Sequence, residues 1–230
     1  TDHLIAEGLA REAAERTGFL CTPTVNVGVS PHHRQFHGTM WVDAPEFRDY
    51  VESLTRNLAY HGIDRVVFVN AHGGNVQHLR EVGRRLRDDG TLYAIEWMWD
   101  ESIPELVDEV FEYNGPHGGP KETAMIQHLA PELVRDDHLE AARDGGIRDV
   151  DPVELLQRHG GRAFYDAIEN SENGVYGDQT DATPEIGERL FEAATDQLVQ
   201  LLDWLDGKRI DDLLAPAHVD PQPGSRRSEQ

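Results

Sequence analysis

The 230-residue chain holds one cysteine, Cys21, so an internal disulfide and a cysteine-built zinc knuckle are both excluded. Lysine is nearly as scarce. Lys121 and Lys208 are the only two, and arginine supplies the rest of the 21 basic side chains against 43 acidic ones, leaving a formal net charge of −22. With no basic stripe to release counterions from phosphates, nucleic acid and anionic membranes are poor partners. The sequence has no apolar run approaching the roughly 18 residues of a membrane span, and its first residues lack the basic, apolar and small-residue order of a signal peptide. These absences predict a cytoplasmic protein. Cys21 follows Phe19-Leu20 and reads as a small buried hydrophobe rather than a nucleophile. The acidic excess reads first as a solvated surface, since charge of this size bears on solubility and association. Acidic, lysine-poor chains also resemble the proteins of salt-loving archaea, where concentrated salt screens such repulsion. A halophilic protein that loses stability as salt is removed is therefore expected.

Hydrophobic residues make up 38% and charged residues 28%, as in ordinary globular domains. Residues 1–210 are expected to form one domain, because no linker composition divides them, and 211–230 a polar, flexible tail. Ile5, Leu9, Ala13 and Ala14 predict a helix over about 3–17 that Gly18 ends. Val25 and Val27 suggest a strand within 19–27 despite Pro23, and residues 28–40, with His32, His33 and His37, read as a loop. Asp43 and Glu46 resemble a capping box ahead of a helix that ends at Gly62. Val66-Val67-Phe68-Val69 is an apolar run suited to a strand covered on both faces, and 92–99 reads as another strand after a helix over 75–88. Residues 101–112 and 122–130 look helical, and 143–182 is broken by glycine and polar clusters. Thr183 and Pro184 then open a strong final helix that closes near Gly207. Helix and strand alternate, which predicts an α/β fold with a mostly parallel central sheet.

Ligands of open α/β sheets gather beyond the carboxyl ends of the strands, so His72, placed just after Val66–Asn70 and flanked by Gly73 and Gly74, is the first candidate site residue. Imidazole there would suit zinc, iron or manganese. On position alone, a strand-to-helix turn with an incidental histidine remains an alternative. His117 and Glu122 stand five apart across Gly118-Gly119-Pro120 and could divide acid and base work. Equally, Glu122 could be a first-turn carboxylate favoured by the helix dipole beside an idle His117. His32, His33 and His37 could line the mouth of a pocket, although clustered loop histidines are more often surface polar residues. Trp97 and Trp99 could wall a pocket for a planar substrate, with at least one of them in the core. His78 has no supporting constellation.

Taken together, Asn70-Ala71-His72-Gly73-Gly74-Asn75 and His117-Gly118-Gly119-Pro120-Lys121-Glu122-Thr123 closely resemble the creatininase family of metal-dependent amidohydrolases. Thr1-Asp2 resembles the end of the family's N-terminal metal arm, Phe36-His37-Gly38-Thr39 its Phe-Pro-Gly-Thr turn, and Gly174-Val175-Tyr176-Gly177-Asp178 its late Gly-Val-x-Gly-Asp segment. The resemblance implies a three-layer α/β/α sandwich and two divalent ions per subunit, zinc, iron or manganese, activating water against a C–N bond. By the same resemblance Asp2, His72 and Glu122 are metal ligands, and His117, with Glu122, is catalytic. It further implies a homo-oligomer such as a hexamer and a small amide as substrate, cyclic or formylated, with a formylaminopyrimidine deformylase of flavin and deazaflavin synthesis as the specific candidate.

Two departures stand out. The family's Glu-x-His ligand pair precedes the aspartate and falls ahead of Thr1, so a chain short of its start is expected. Gly74 stands where creatininase proper carries a carboxylate ligand, which argues against creatinine itself as substrate. The rival reading is a non-catalytic family member that serves as a binding or assembly subunit with an incomplete metal site. A nucleotide-binding protein using Gly73-Gly74 as a phosphate cradle lacks both a Walker lysine and a dinucleotide glycine pattern.

Overall fold

A computed structural model describes residues 1–90, 92–113, 115, 117–145 and 166–215. Its sheet, among these residues, consists of two parallel strands, β1 (Arg65–Asn70) and β2 (Tyr93–Met98), in register from Arg65 opposite Tyr93 to Asn70 opposite Met98. The crossover between them is α3 (Val76–Asp88), entered through a tight turn at Gly73–Asn75. Alternation along the strands decides the layers. Val67 and Val69 pack toward α1 (Asp2–Thr17), α4 (Pro104–Val110), α5 (Pro120–Leu129) and α7 (Pro184–Asp206), joining Ile5, Leu9, Met125, Leu190 and Leu198 in one core. Val66, Phe68 and Ala94 point the other way, toward Phe47 and Val51 of α2 (Ala44–Tyr60) and Leu79, Val82 and Leu86 of α3. A narrow parallel sheet thus lies between two helical layers, the expected α/β/α sandwich. Of two shorter helices, α8 (Ile210–Leu213) follows α7, and α6 (Leu139–Gly145) precedes residues 146–165, which lie outside the described part along with 216–230, most of the expected tail. Among the described residues no helix is long and apolar enough to cross a membrane.

Local chemistry sets several boundaries as read from the sequence. Gly18 adopts φ 80° and donates its N–H to Ala14 O, closing α1. The Thr183 hydroxyl accepts the N–H of Ile186 at 3.2 Å, and Pro184 occupies the first turn of α7.

Four expectations are corrected. Residues 19–27 form no strand: Pro23 lacks the N–H a ladder needs, and neither β1 nor β2 pairs with this segment. Cys21 within it is exposed instead of buried. The Asp43 carboxylate makes no capping bond, because it accepts the indole N–H of Trp41 at 3.2 Å. The helix expected over 101–112 is shorter, with a 3₁₀ turn at Asp100–Ser102 preceding α4, since Pro104 cannot supply an N–H to a helix interior.

Candidate active site

His72 leaves the carboxyl end of β1, where its backbone is tied to the preceding asparagine. Asn70 Oδ1 accepts the His72 N–H at 3.1 Å, and Asn70 Nδ2 donates to the His72 carbonyl at 3.1 Å. The ring is held at both nitrogens. Nδ1 lies 2.9 Å from Asp2 Oδ2, while Nε2 lies 3.1 Å from the Val29 carbonyl and 2.9 Å from the Ser30 hydroxyl. A carbonyl only accepts, so the bond to Val29 places a proton on Nε2. Val29 is itself pinned, its N–H donating to Asn75 Oδ1 at 3.0 Å. The two asparagines of the Asn-Ala-His-Gly-Gly-Asn run therefore frame the imidazole from both sides. Between them, Gly74 has no room for a side chain: a Cβ there would sit 2.2 Å from Val29 O and 2.5 Å from His72 Nε2.

His117 belongs to a loop secured through its backbone. Its carbonyl accepts the Tyr176 N–H at 2.9 Å, and the Gly118 carbonyl accepts Gln179 Nε2 at 3.0 Å. Gly118, at φ +57°, turns the chain so that its N–H donates to Glu122 Oε2 in the first turn of α5. Thus the Gly-Val-Tyr-Gly-Asp segment clamps the loop that carries His117. The Phe36–Thr39 turn closes with the Thr39 N–H on the Phe36 carbonyl, and the Phe36 ring lies against Gly174.

Asp2, His72, His117 and Glu122 come together. With Gly73, Met98, Trp99, Asp100 and Lys121 they line a cavity of about 60 Å³ at the carboxyl end of the sheet. Burial pushes the Asp2 carboxyl up, but the hydrogen bond and charge of His72 outweigh it and hold it well below the ordinary range. For His72 burial favours the neutral ring, yet Asp2 reverses this and raises its pKa. Glu122 is pushed up to about 7, by burial first and by the Asp2 charge second, against the pull of Lys121 and the Gly118 N–H. Burial also lowers the pKa of His117, with Asp2 opposing. One cavity therefore holds an ionised carboxylate beside one that exchanges protons near neutrality, the separation that acid-base chemistry uses.

Sequence reasoning passed over several neighbours. His33 is 9% exposed and stacks on His117 with ring centroids 4.1 Å apart, so it is no surface group, and burial followed by the neighbouring histidines drives its pKa down to about 3. His37 does not line the cavity. Trp97 and Trp99 are both buried, and only Trp99 reaches the cavity wall. His78, left unassigned, is buried on α3 against Arg48 and Gln77. Lys121 and Asp100 form a partly buried ion pair that no local pattern announces.

Among the described residues no three His, Cys, Asp or Glu side chains are gathered as a metal cage. The donor chemistry nevertheless fits a divalent ion, since two carboxylates and an imidazole face one polar cavity. His72 has the backbone-anchored second nitrogen typical of a metal-ligating imidazole.

Comparison with known proteins matches this arrangement to a family. The model of the creatininase family, described as creatinine amidohydrolase, matches residues 1–202. A mycofactocin precursor peptide peptidase of Mycobacterium ulcerans (strain Agy99) is 32% identical over 217 residues, covering 90% of this chain and 79% of the relative. A 2-amino-5-formylamino-6-ribosylaminopyrimidin-4(3H)-one 5'-monophosphate deformylase of Methanobrevibacter smithii is 29% identical over 163 residues, covering 67% of this chain and 62% of the relative. A crystal structure of creatinine amidohydrolase (creatininase) superposes with a TM-score of 0.73 at 23% identity, over 90% of this chain and 83% of that one. Other solved creatininases of the same fold are described as Zn-Zn type and as the Mn form. The sandwich, the two glycine-flanked histidine loops and the match along most of the chain converge: this protein belongs to the creatininase family and is a hydrolase of C–N bonds.

Proposed function

We propose that the chain is a metal-dependent amidohydrolase that cleaves the C–N bond of a small cyclic amide or formamide, with a formylaminopyrimidine as the leading candidate. One observation carries the reading: Asp2, His72, His117 and Glu122, contributed by separate parts of the sequence, line a single polar cavity. Asp2, His72 and Glu122 are the residues that would hold zinc, iron or manganese, two ions in a complete site. Such ions, when bound, lower the pKa of water and polarise the amide carbonyl. The protein's own part is to fix His72 through Val29 and Asn75, to keep Asp2 ionised, and to carry protons. Glu122, poised near 7, takes a proton, and His117 delivers one to the departing nitrogen. The deformylase relative supports the formamide, and the absence of a carboxylate at Gly74 speaks against creatinine.

The second reading is hydrolysis of a peptide amide. It is favoured by the precursor peptide peptidases, 32–33% identical over 217 residues. In either case the active form is proposed as a cytoplasmic homo-oligomer whose acidic surface suits high salt.

The test is a metal-binding titration with zinc and manganese, followed by a hydrolysis screen of formamides, cyclic amides and short peptides. Wild type is expected to bind metal and cleave one class, and His72→Ala to lose both. Equal, negligible metal binding by wild type and variant would overturn the hydrolytic reading in favour of a non-catalytic subunit.

A further inference from the structure

The cavity contains one feature the hydrolytic reading leaves unused. Lys121 Nζ donates to Asp100 Oδ2 at 2.5 Å, and both residues line the cavity. The chain has only two lysines, and this one is 9% exposed. It is also the sole Lys or Arg among the described residues that line the cavity. Among the described residues, Asp100 Oδ1 is buried with no hydrogen-bond partner. An ammonium has three donors, of which Asp100 engages one. Among the described residues the pair therefore offers unfilled donors beside an unfilled acceptor. Buried ion pairs seldom persist for stability, because desolvation offsets their attraction. A buried acceptor left unmatched is a defect that a ligand can repair.

We propose that the Lys121–Asp100 pair recognises a cis-amide edge on the substrate, the neighbouring C=O and N–H that a lactam or pyrimidinone ring presents. Lys121 donates to the ring carbonyl and Asp100 Oδ1 accepts the ring N–H. A free anion is the poorer ligand, since Asp2, Asp100 and Glu122 line the same cavity as the ammonium. A neutral ring meets no such repulsion, and Met98 and Trp99 supply apolar wall beside it. A site that pairs a polar edge rejects the analogue lacking it far more strongly than a hydrophobic pocket rejects a missing methylene. This inference rests on the proposed amidohydrolase reading for the bond that is cut, while the recognition itself is independent of turnover.

The experiment is calorimetric binding of two unreactive probes, a pyrimidinone with a free ring N–H beside its carbonyl and the same ring N-methylated. Wild type, Lys121→Met and the paired Lys121→Met/Asp100→Leu protein are compared. The paired variant removes both charges together, so the comparison survives if the single variant fails to fold. Wild type is expected to favour the free-edge probe by about ten- to a hundredfold, as a bond to a charged group confers, and both variants to lose that preference. Equal binding of the probes by wild type, binding of neither, or a preference retained in the paired variant overturns the proposal. Hydrolysis of simple formamides is measured alongside. Turnover without edge preference removes this inference and leaves the hydrolase; edge preference without turnover of any amide does the reverse.

Discussion

The two histidine loops are built on opposite plans. Around His72 both ring nitrogens and both backbone groups are engaged, by Asp2, Val29, Ser30 and Asn70. Around His117 the backbone is clamped by Tyr176, but the ring rests on the face of His33 at 4.1 Å. The difference matches the two tasks proposed for them. A metal ligand gains from a ring that cannot turn. A proton carrier needs a nitrogen free to meet its partner.

The strongest way to break this contrast is at His117. His117→Ala should lower kcat by roughly 10²–10⁴-fold, the usual contribution of general acid-base catalysis, with metal affinity retained. If metal affinity collapses and kcat survives, the two loops have exchanged roles. Next comes the fixed ring. Asn75→Ala releases Val29 and should weaken metal binding about 10–100-fold, as loss of an outer support does. Asn75→Asp, which keeps the acceptor for the Val29 N–H, should recover part of the loss. Nitrogen NMR of the metal-free His72 ring checks the cause, since only the wild type and Asn75→Asp should hold the proton on Nε2.

The smallest effect expected is on stability. Glu122 has an ordinary value of 4.5 and is pushed up to about 7 in the fold. A raised carboxyl favours folding fully below the unfolded value, and that contribution is lost as pH rises through the folded one. The metal-free protein should therefore lose melting temperature between about pH 4.5 and 7 on account of Glu122, and Glu122→Gln should flatten that slope. Asp2, held low by His72, acts in the opposite sense at lower pH, so an acid limb should persist in the variant.

Features written in adjacent residues were legible in the sequence. Thr183-Pro184 opens a helix through bonds within one turn, and the four-residue apolar run of β1 needs a cover on each face. The Val25-Val27 segment misled because strand formation requires a neighbouring strand, which no local preference provides. His72, His117 and Glu122 were visible because glycines mark them. Ser30, His33 and Asp100 were not, since each enters the site across long stretches of chain. Asp43 shows the converse: its spacing to Glu46 suits a cap, and Trp41 takes its carboxylate first.

The crowding at Gly74 also limits how this site can change by descent. Glutamate there would bring a further carboxylate to the site, and one base change in a glycine codon can encode it. The Val29 carbonyl already occupies the space where such a side chain must begin. Acquiring that ligand demands a rebuilt Gly28–Ser30 segment in the same step, and moving that segment would release His72. A single substitution at position 74 should therefore cost His72 its anchorage, whatever ligand it adds.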